Sequence, residues 1–428
     1  MSLQAIISQH HAAVGRGTFW DARTWQAMRA IVRCRTAACG SHARVCNACG
    51  TVAIAYNSCR DRNCPLCQGR ERAAWVAKRE ADVLDVPYFH VVCTLPHDLL
   101  DLVRWAPATS YGILHTAARR TIDGLLRDPR HGGIQPGMIA VLHTWASDLT
   151  LHPHIHLIIP AGGIDHATGA WRDCRYNRKR KRPFLVPIDR LRARFTATVL
   201  GLVRDQYDAG DFHREGEMRG YQPPTYLDHG VGLRQLLAHS RRRPWVVYIK
   251  RPFADPRRLI RYLGRYTHRT AIDPRRVTAY DGERVTFQVR DRTSGAMRPH
   301  TLAAQGFVRR FAQHILPRGF HRIRHTGFMA NACRRRHLTR IRAQLASRCP
   351  AVDHGDTPAH EAGSGSGSAP GTAGIAAPAA ASHARICPLC GGPMVLISLT
   401  QPDAHTANAS PPPPPSRRET SPHALSTA

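Results

Sequence analysis

Seven of the thirteen cysteines in this 428-residue chain fall between residues 34 and 67. The stretch contains two Cys-x2-Cys pairs, Cys46 with Cys49 and Cys64 with Cys67. Each pair can place two thiolates at two corners of a tetrahedron, and the spacing between the pairs is typical of a zinc ribbon. The sequence therefore predicts a small cysteine-rich domain in which these four thiolates hold one structural Zn²⁺.

Other residues of the chain are alternative zinc ligands. Cys34, His42 and Cys59 either form part of a second site or replace a member of the four, and the spacing leaves both open. A third Cys-x2-Cys pair, Cys387 with Cys390, stands alone near the end of the chain. It is either a degenerate half ribbon or half of a site whose partners lie elsewhere.

Residues 151–159 alternate at period two and predict a strand. His154 and His156 then share one face, and two neutral imidazoles supply half of a site for a divalent cation. If residues 147–150 form a hairpin turn, His143 on the preceding strand lies opposite His154. We therefore predict His143 as the third ligand, with His152 and Asp148 as lesser candidates.

A helix is predicted to begin at Asp255 and Pro256 and to end before Pro274. Tyr262 and Tyr266 are four residues apart, so their Cβ atoms would lie about 5–6 Å from each other on one face. Both phenols could reach one phosphate; the alternative is that they pack on a core. A neighbouring face carries Arg261, Arg265 and Arg269, and we predict that Arg265 and Arg269 bind nucleic acid by contacting phosphate.

Charge indicates the class of partner. The chain has 61 lysines and arginines against 30 acidic residues, a formal net charge of +31. Such an excess is typical of nucleic-acid-binding proteins, because cationic side chains neutralise phosphates. One basic run is predicted either to contact phosphates or to be a solvated loop: Arg178, Lys179, Arg180, Lys181 and Arg182.

Hydropathy argues against a membrane partner and against export. No apolar run of 18 residues or more occurs, and no basic amphipathic helix with an aromatic face stands out. The N-terminus lacks the apolar region of a signal peptide, which favours a cytoplasmic, DNA-associated protein.

Composition suggests four parts. Residues 1–33 are expected to form a helical lead-in and residues 34–86 the zinc-binding domain. Residues 87–345 contain the histidine and tyrosine motifs. Residues 346–428 are rich in Gly, Ser, Ala and Pro, cannot bury a core, and are expected to be mostly disordered.

Several ordered motifs together resemble a known family. Over residues 20–345 the chain is similar to the two-tyrosine HUH rolling-circle transposases of bacterial insertion sequences, the IS91-like family. Cys93 departs from the family pattern, in which a phenylalanine is expected. The resemblance rests on residues 34–36, 57–68, 88–96, 143–145, 152–156, 262–269 and 316–320.

The resemblance implies an α+β fold, in which a zinc-binding domain precedes an HUH endonuclease domain with a central antiparallel sheet and flanking helices. It implies a transposase that nicks and rejoins single-stranded or hairpin DNA at transposon ends. The histidines would hold Mg²⁺ or Mn²⁺ against the scissile phosphate, and Tyr262 or Tyr266 would attack, leaving a 5′-phosphotyrosine and a 3′-OH.

Rejoining would need no nucleotide cofactor, and the chain has no Gly-x4-Gly-Lys-Ser/Thr motif. Two alternative functions are compatible with the sequence. A relaxase or rolling-circle replication initiator would use the same chemistry. A non-catalytic zinc-finger DNA-binding regulator would need the charge and the cysteines but neither the histidines nor the tyrosines.

Overall fold

The computed structural model describes residues 2–18, 20–179, 181–227, 230–252, 255, 257–258, 260–261, 264, 271–291, 293–348 and 385–401. Five predicted site residues lie outside these ranges: Arg180, Tyr262, Arg265, Tyr266 and Arg269.

The named helices of the described residues are α1 (Leu3–Thr18), α2 (Ala22–Arg33), α3 (Gly69–Ala81), α4 (Leu100–Trp105), α5 (Pro107–Leu126), α6 (Ile188–Asp208), α7 (Asp211–Arg219), α8 (Gly230–Arg242), α9 (Ala304–Ala312) and α10 (Arg334–Ala346). No helix in the described part of the chain is long and apolar enough to cross a membrane.

The strands are β1 (Ser41–Cys46), β2 (Val52–Tyr56), β3 (Tyr88–Thr94), β4 (Ile134–Gln135), β5 (Gly137–Trp145), β6 (Leu151–Pro160), β7 (Gly162–Asp165), β8 (Trp171–Asp173), β9 (Tyr176–Asn177), β10 (Arg182–Pro183), β11 (Val247–Ile249), β12 (Val277–Tyr280), β13 (Arg284–Arg290), β14 (Met297–Ala303), β15 (Ile323–Gly327), β16 (Arg385–Ile386) and β17 (Pro393–Thr400).

A five-stranded antiparallel sheet forms the centre of the fold, in the order β11-β3-β6-β5-β15. Its three inner strands, β3, β6 and β5, are almost wholly buried. Together with the helices packed on it and the cysteine-rich region before it, this sheet confirms the α+β fold class.

The two faces of this sheet carry different side chains because neighbours along a strand point in opposite directions. Val91, Ile155 and Leu157 lie in the largest apolar core, which they share with buried side chains of α5 and α6. On the other face, Val141 and Ile158 pack with residues of α10 and with Trp75 of α3. The histidines of β5 and β6 occupy the remaining end of that second face.

The N-terminal helices pack on a later part of the chain. Ile6 of α1 and Met28 of α2 share a core with Phe287 of β13 and Phe307 of α9. Asp21 caps α2 by accepting a hydrogen bond from the backbone N–H of Thr24 at 2.8 Å. The predicted helical lead-in is therefore two helices that cover residues from the second half of the chain.

The sequence of residues 306–345 is basic and by its pattern mostly helical, but it contains a strand. β15 separates α9 from α10 and pairs with β5, with Thr326 opposite Met138. At its end, Gly327 has φ +62°, and a Cβ there would collide with the backbone carbonyl of Pro136. Glycine therefore permits the end of this edge strand to lie close to the backbone of Pro136.

Residues 385–401, in the predicted tail, depart from the expectation of disorder. They form β16 and β17, and β17 pairs antiparallel with β1. The resulting sheet has the order β16-β17-β1-β2. This stretch of the tail therefore belongs to the same sheet as the cysteine-rich region.

Candidate active site and metal centres

Three histidines converge on one face of the β5–β6 hairpin. His143 lies opposite His154, as the hairpin alignment predicted. A bulge beyond His143 then shifts the register, so that Trp145 pairs with Leu151 instead of His152. One ring nitrogen from each of His143, His154 and His156 lies within 4.8 Å of the others. This arrangement can present three imidazole ligands to one divalent cation.

Burial keeps these rings uncharged. It lowers the pKa of His143 and of His156 well below the usual value, and it lowers the pKa of His154 to about 4. Nδ1 of His154 donates a hydrogen bond to the carbonyl of His152 at 2.7 Å, which leaves Nε2 to face an ion. The backbone of His152 thus orients a candidate ligand.

Sequence reasoning missed a fourth histidine at this site. His90 lies on β3, and its Nε2 shares a 2.7 Å hydrogen bond with Nδ1 of His156. The two rings are stacked, with centroids 4.9 Å apart. Since this bond occupies Nδ1 of His156, the ring presents Nε2 to the site. The alternation of β3 puts His90 on one face with Thr94, but only the register with β6 brings it to His156.

The tyrosine segment is described at a few positions only. Residues 257, 258, 260, 261 and 264 are helical, in line with the predicted helix. Arg261 forms an ion pair with Glu80 of α3 at 2.6 Å. A Cβ on Gly264 would collide with the side chain of Val76, also on α3. The described part of this segment therefore packs closely against α3.

The predicted four-cysteine zinc site is corrected by the structure, which divides its members between two clusters. Cys64 and Cys67 group with the former alternates Cys34 and Cys59, whereas Cys46 and Cys49 group with Cys387 and Cys390. The four sulfurs of each cluster lie within 4.8 Å of one another. His42 belongs to neither cluster, and its Nδ1 lies 3.2 Å from Oδ1 of Asn57.

The β1–β2 hairpin explains this division. The Cys46–Cys49 turn connects the two strands at one end of the hairpin, while Cys34 and Cys59 lie in the segments that flank its other end. Strands of five or six residues span roughly 17 Å. One ion with Zn–S bonds of about 2.3 Å cannot bridge that separation. The sequence shows two half-sites, but each half-site pairs with a different partner.

Two groups of basic side chains are candidate contacts for phosphate. Of the predicted run, Arg178, Lys179 and Lys181 are exposed between β9 and β10, and Arg182 is half-buried. A cleft of about 1070 Å³ between α6 and α8, which sequence reasoning missed, is lined by five arginines: Arg192, Arg204, Arg241, Arg242 and Arg243. The adjacent residues 241–243 were the sequence signal for it.

Comparison with known proteins identifies the family of the chain. A family model described as "Putative transposase" matches residues 137–337, which contain the histidine-bearing hairpin. A second, described as "Transposase zinc-binding domain" of the IS91 type, matches residues 6–95. No solved structure matches the chain.

Two relatives match most of the chain. It is 38% identical over 332 residues to the "Putative transposase y4qJ" of Sinorhizobium fredii, covering 77% of this chain and 80% of the relative. It is 28% identical over 316 residues to the "Transposase for insertion sequence element IS801" of Pseudomonas savastanoi pv. phaseolicola, covering 73% and 70%. With two matching domains in the expected order, the chain belongs to the IS91 family of insertion-sequence transposases.

Proposed function

We propose that this transposase nicks and rejoins single-stranded DNA at the ends of its insertion sequence through a tyrosine–DNA covalent intermediate. The observation that carries the proposal is the convergence of three uncharged histidines on one face of the central sheet: His143 and His156, which are buried, and His154, which is half-buried. Membership of a transposase family implies that the chain cuts and joins DNA in general. The phosphotyrosine mechanism is what we propose beyond that.

The histidines would hold Mg²⁺ or Mn²⁺, and the bound cation would neutralise negative charge on the scissile phosphate. The phenol oxygen of Tyr262 or Tyr266 attacks phosphorus and loses its proton to solvent. The bond from phosphorus to the 3′ oxygen breaks, and that oxygen takes a proton to become a 3′-OH. Because the tyrosyl phosphodiester keeps the bond energy, a second 3′-OH can reverse the step without a nucleotide.

Two nucleophiles let one tyrosine hold the first cut end while the other cuts the second. The contacts of Arg261 and Gly264 support this role, because they place their segment against α3. Trp75 of α3 packs in the apolar cluster on the histidine-bearing face. Arg79 of α3 also donates a hydrogen bond at 2.8 Å to His325 of β15, at the edge of the same sheet.

DNA binding would use the cationic surface of the chain. The turn that contains Arg178, Lys179 and Lys181 and the cleft between α6 and α8 are the surfaces we propose for phosphate contacts. We assign the catalytic domain to residues 87–345 and the zinc-binding domain to residues 34–86. The substrate would be single-stranded or hairpin DNA, in the bacterial cytoplasm.

An adduct assay tests the proposal. The protein is incubated with an end-containing oligonucleotide and Mg²⁺ or Mn²⁺, and a covalent adduct is sought on a denaturing gel. The wild type is expected to form it, and the Tyr262→Phe/Tyr266→Phe variant is not. Each single variant is expected to nick but to fail at complete strand transfer. Tyr226→Phe, which removes a hydroxyl elsewhere, is the matched control.

Other outcomes would redirect the proposal. An adduct that survives the double substitution would place the nucleophile elsewhere, and Tyr248 is then the first candidate. Tyr248 pairs with Val92, which pairs with His156, so it lies on the histidine-bearing face. A wild type that binds DNA but never nicks would favour the non-catalytic regulator.

A further inference from the structure

The second cysteine cluster, formed by Cys46, Cys49, Cys387 and Cys390, joins two parts of the chain that are far apart in sequence. Sγ of Cys46 lies 3.4 Å from Sγ of Cys390, a residue 344 positions away in the sequence. Sγ of Cys49 lies 3.7 Å from Sγ of Cys387. Four thiolates around Zn²⁺, with bonds of about 2.3 Å, stand about 3.8 Å apart. The sulfurs are therefore spaced as a tetrahedral zinc site requires.

The two halves of this cluster share one backbone design. In each, the glycine after the second cysteine donates its N–H to the carbonyl of the first cysteine: Gly50 to Cys46 at 2.9 Å and Gly391 to Cys387 at 3.0 Å. Both glycines adopt left-handed φ values, +71° and +73°. Two equivalent knuckles facing each other are the arrangement of a zinc ribbon.

The surrounding backbone is fitted to this pairing. β17 continues from the second knuckle and pairs with β1, with Met394 opposite Cys46. A Cβ on Gly392 would lie 2.9 Å from Cβ of Ala48 and 3.2 Å from Sγ of Cys46. The C-terminal knuckle thus approaches the N-terminal one as closely as only glycine permits.

We propose that Cys46, Cys49, Cys387 and Cys390 bind a second structural Zn²⁺, which ties the C-terminal segment to the zinc-binding domain. This site is separate from the cluster of Cys34, Cys59, Cys64 and Cys67. The matched zinc-binding family model ends at residue 95 and therefore contains only half of its ligands.

Zinc content of the purified full-length chain tests the assignment. The wild type is expected to carry two ions. Cys387→Ser/Cys390→Ser and Cys46→Ser/Cys49→Ser are each expected to carry one, and the variant with all four changes also one, because both pairs serve the same ion. Cys333→Ser, outside both clusters, keeps two. An unchanged content in the Cys387→Ser/Cys390→Ser variant, or a further loss when the pairs are combined, would overturn the proposal.

Cleavage of the connecting chain gives a second readout that does not depend on how many ions survive purification. A protease site is placed between residues 351 and 384, and the cut protein is passed over a sizing column. The C-terminal fragment is expected to co-elute with the rest in zinc-containing buffer, and to separate after chelation or in the Cys387→Ser/Cys390→Ser variant.

The proposal would be contradicted if the fragments separated in zinc-containing buffer. It would also be contradicted if they co-eluted equally with zinc, after chelation and in the Cys387→Ser/Cys390→Ser variant. Neither measurement uses DNA cleavage, so its result stands apart from the outcome of the adduct assay.

Discussion

The histidine centre and the cysteine clusters assemble their ligands in opposite ways. His143, His154 and His156 lie on adjacent strands of one hairpin, where register alone brings them together. Each cysteine cluster instead contains knuckles or single residues that are separate along the chain, as Cys46 and Cys390 show. The register of two strands can be predicted from the short turn between them. A Cys-x2-Cys pair, in contrast, does not show which other residues complete its metal site.

The two kinds of centre also differ in what supports them. The histidines alternate with Ile155 and Leu157, which are buried in the largest core, so the hairpin is held by apolar packing. The hairpin that connects the cysteine clusters has few buried side chains; Val52 is 56% exposed and Ile54 is 64% exposed. Metal binding is therefore expected to support the fold at the cysteines and the chemistry at the histidines.

The largest expected effect is on stability, at the cysteines. Cys64→Ser removes a fully buried member of the first cluster and its ion. The free energy of unfolding is expected to fall by roughly 3 kcal/mol or more, because zinc binding and folding are linked. Thermal unfolding and zinc content measure it. Cys39→Ser, a nearby cysteine outside both clusters, is the control, and equal melting temperatures for both variants would refute the contrast.

At the histidine centre the effect should be on cleavage instead. His154→Ala is expected to slow metal-dependent nicking by at least about a hundredfold, since the cation contributes several kcal/mol to the transition state. DNA binding and melting temperature should change little. His152→Ala is the matched control, because the carbonyl that orients His154 remains. A comparable loss in both variants would instead support His152 as a ligand.

A smaller effect is expected at His90, which positions His156. His90→Phe is expected to weaken Mn²⁺ binding by about 10–100-fold, the usual cost of losing a hydrogen-bond partner of a metal ligand. His90→Gln keeps a polar partner for Nδ1 of His156 and should recover part of the affinity. Metal titration measures both, and two variants with equal affinity would show that His90 acts only through packing.

The smallest effect is expected at the basic turn, whose residues belong to neither kind of metal centre. Replacing Arg178, Lys179, Arg180, Lys181 and Arg182 with Ala should leave zinc content and nicking chemistry intact. The slope of the logarithm of the DNA association constant against the logarithm of salt concentration should become shallower. The expected change is about 0.7 for each phosphate of a single strand that the variant no longer neutralises. Binding titrations across salt concentrations measure the slope, and an unchanged slope would indicate a solvated loop.

Contacts between residues that are close in sequence could be predicted, whereas contacts between residues that are distant in sequence could not. The turn at residues 147–150 sufficed to place His143 opposite His154, and alternation sufficed to predict the strand that carries His154 and His156. The central antiparallel sheet was expected only from the family resemblance. His90 was missed because β3 and β6 are distant in sequence, so their register cannot be read from a turn. β15 was missed because its residues do not alternate in polarity, and pairing with β5 makes it a strand.

The cysteines show both sides of this limit. Spacing predicted the Cys-x2-Cys half-sites, but the pairing of halves depends on a strand from the predicted tail. The tyrosines Tyr262 and Tyr266 lie outside the described residues, so their predicted place in the site remains a proposal.

The late position of β15 in the chain has a consequence for shortened copies of this protein. During synthesis, β5 leaves the ribosome long before the strand that covers its outer edge. A product that stops before Ile323 would expose the N–H and C=O groups along that edge, on a strand that is buried throughout in the complete protein. Such an edge is a template for aggregation. Prematurely terminated copies should therefore accumulate as insoluble material, and should not act as soluble inhibitors that compete for DNA ends.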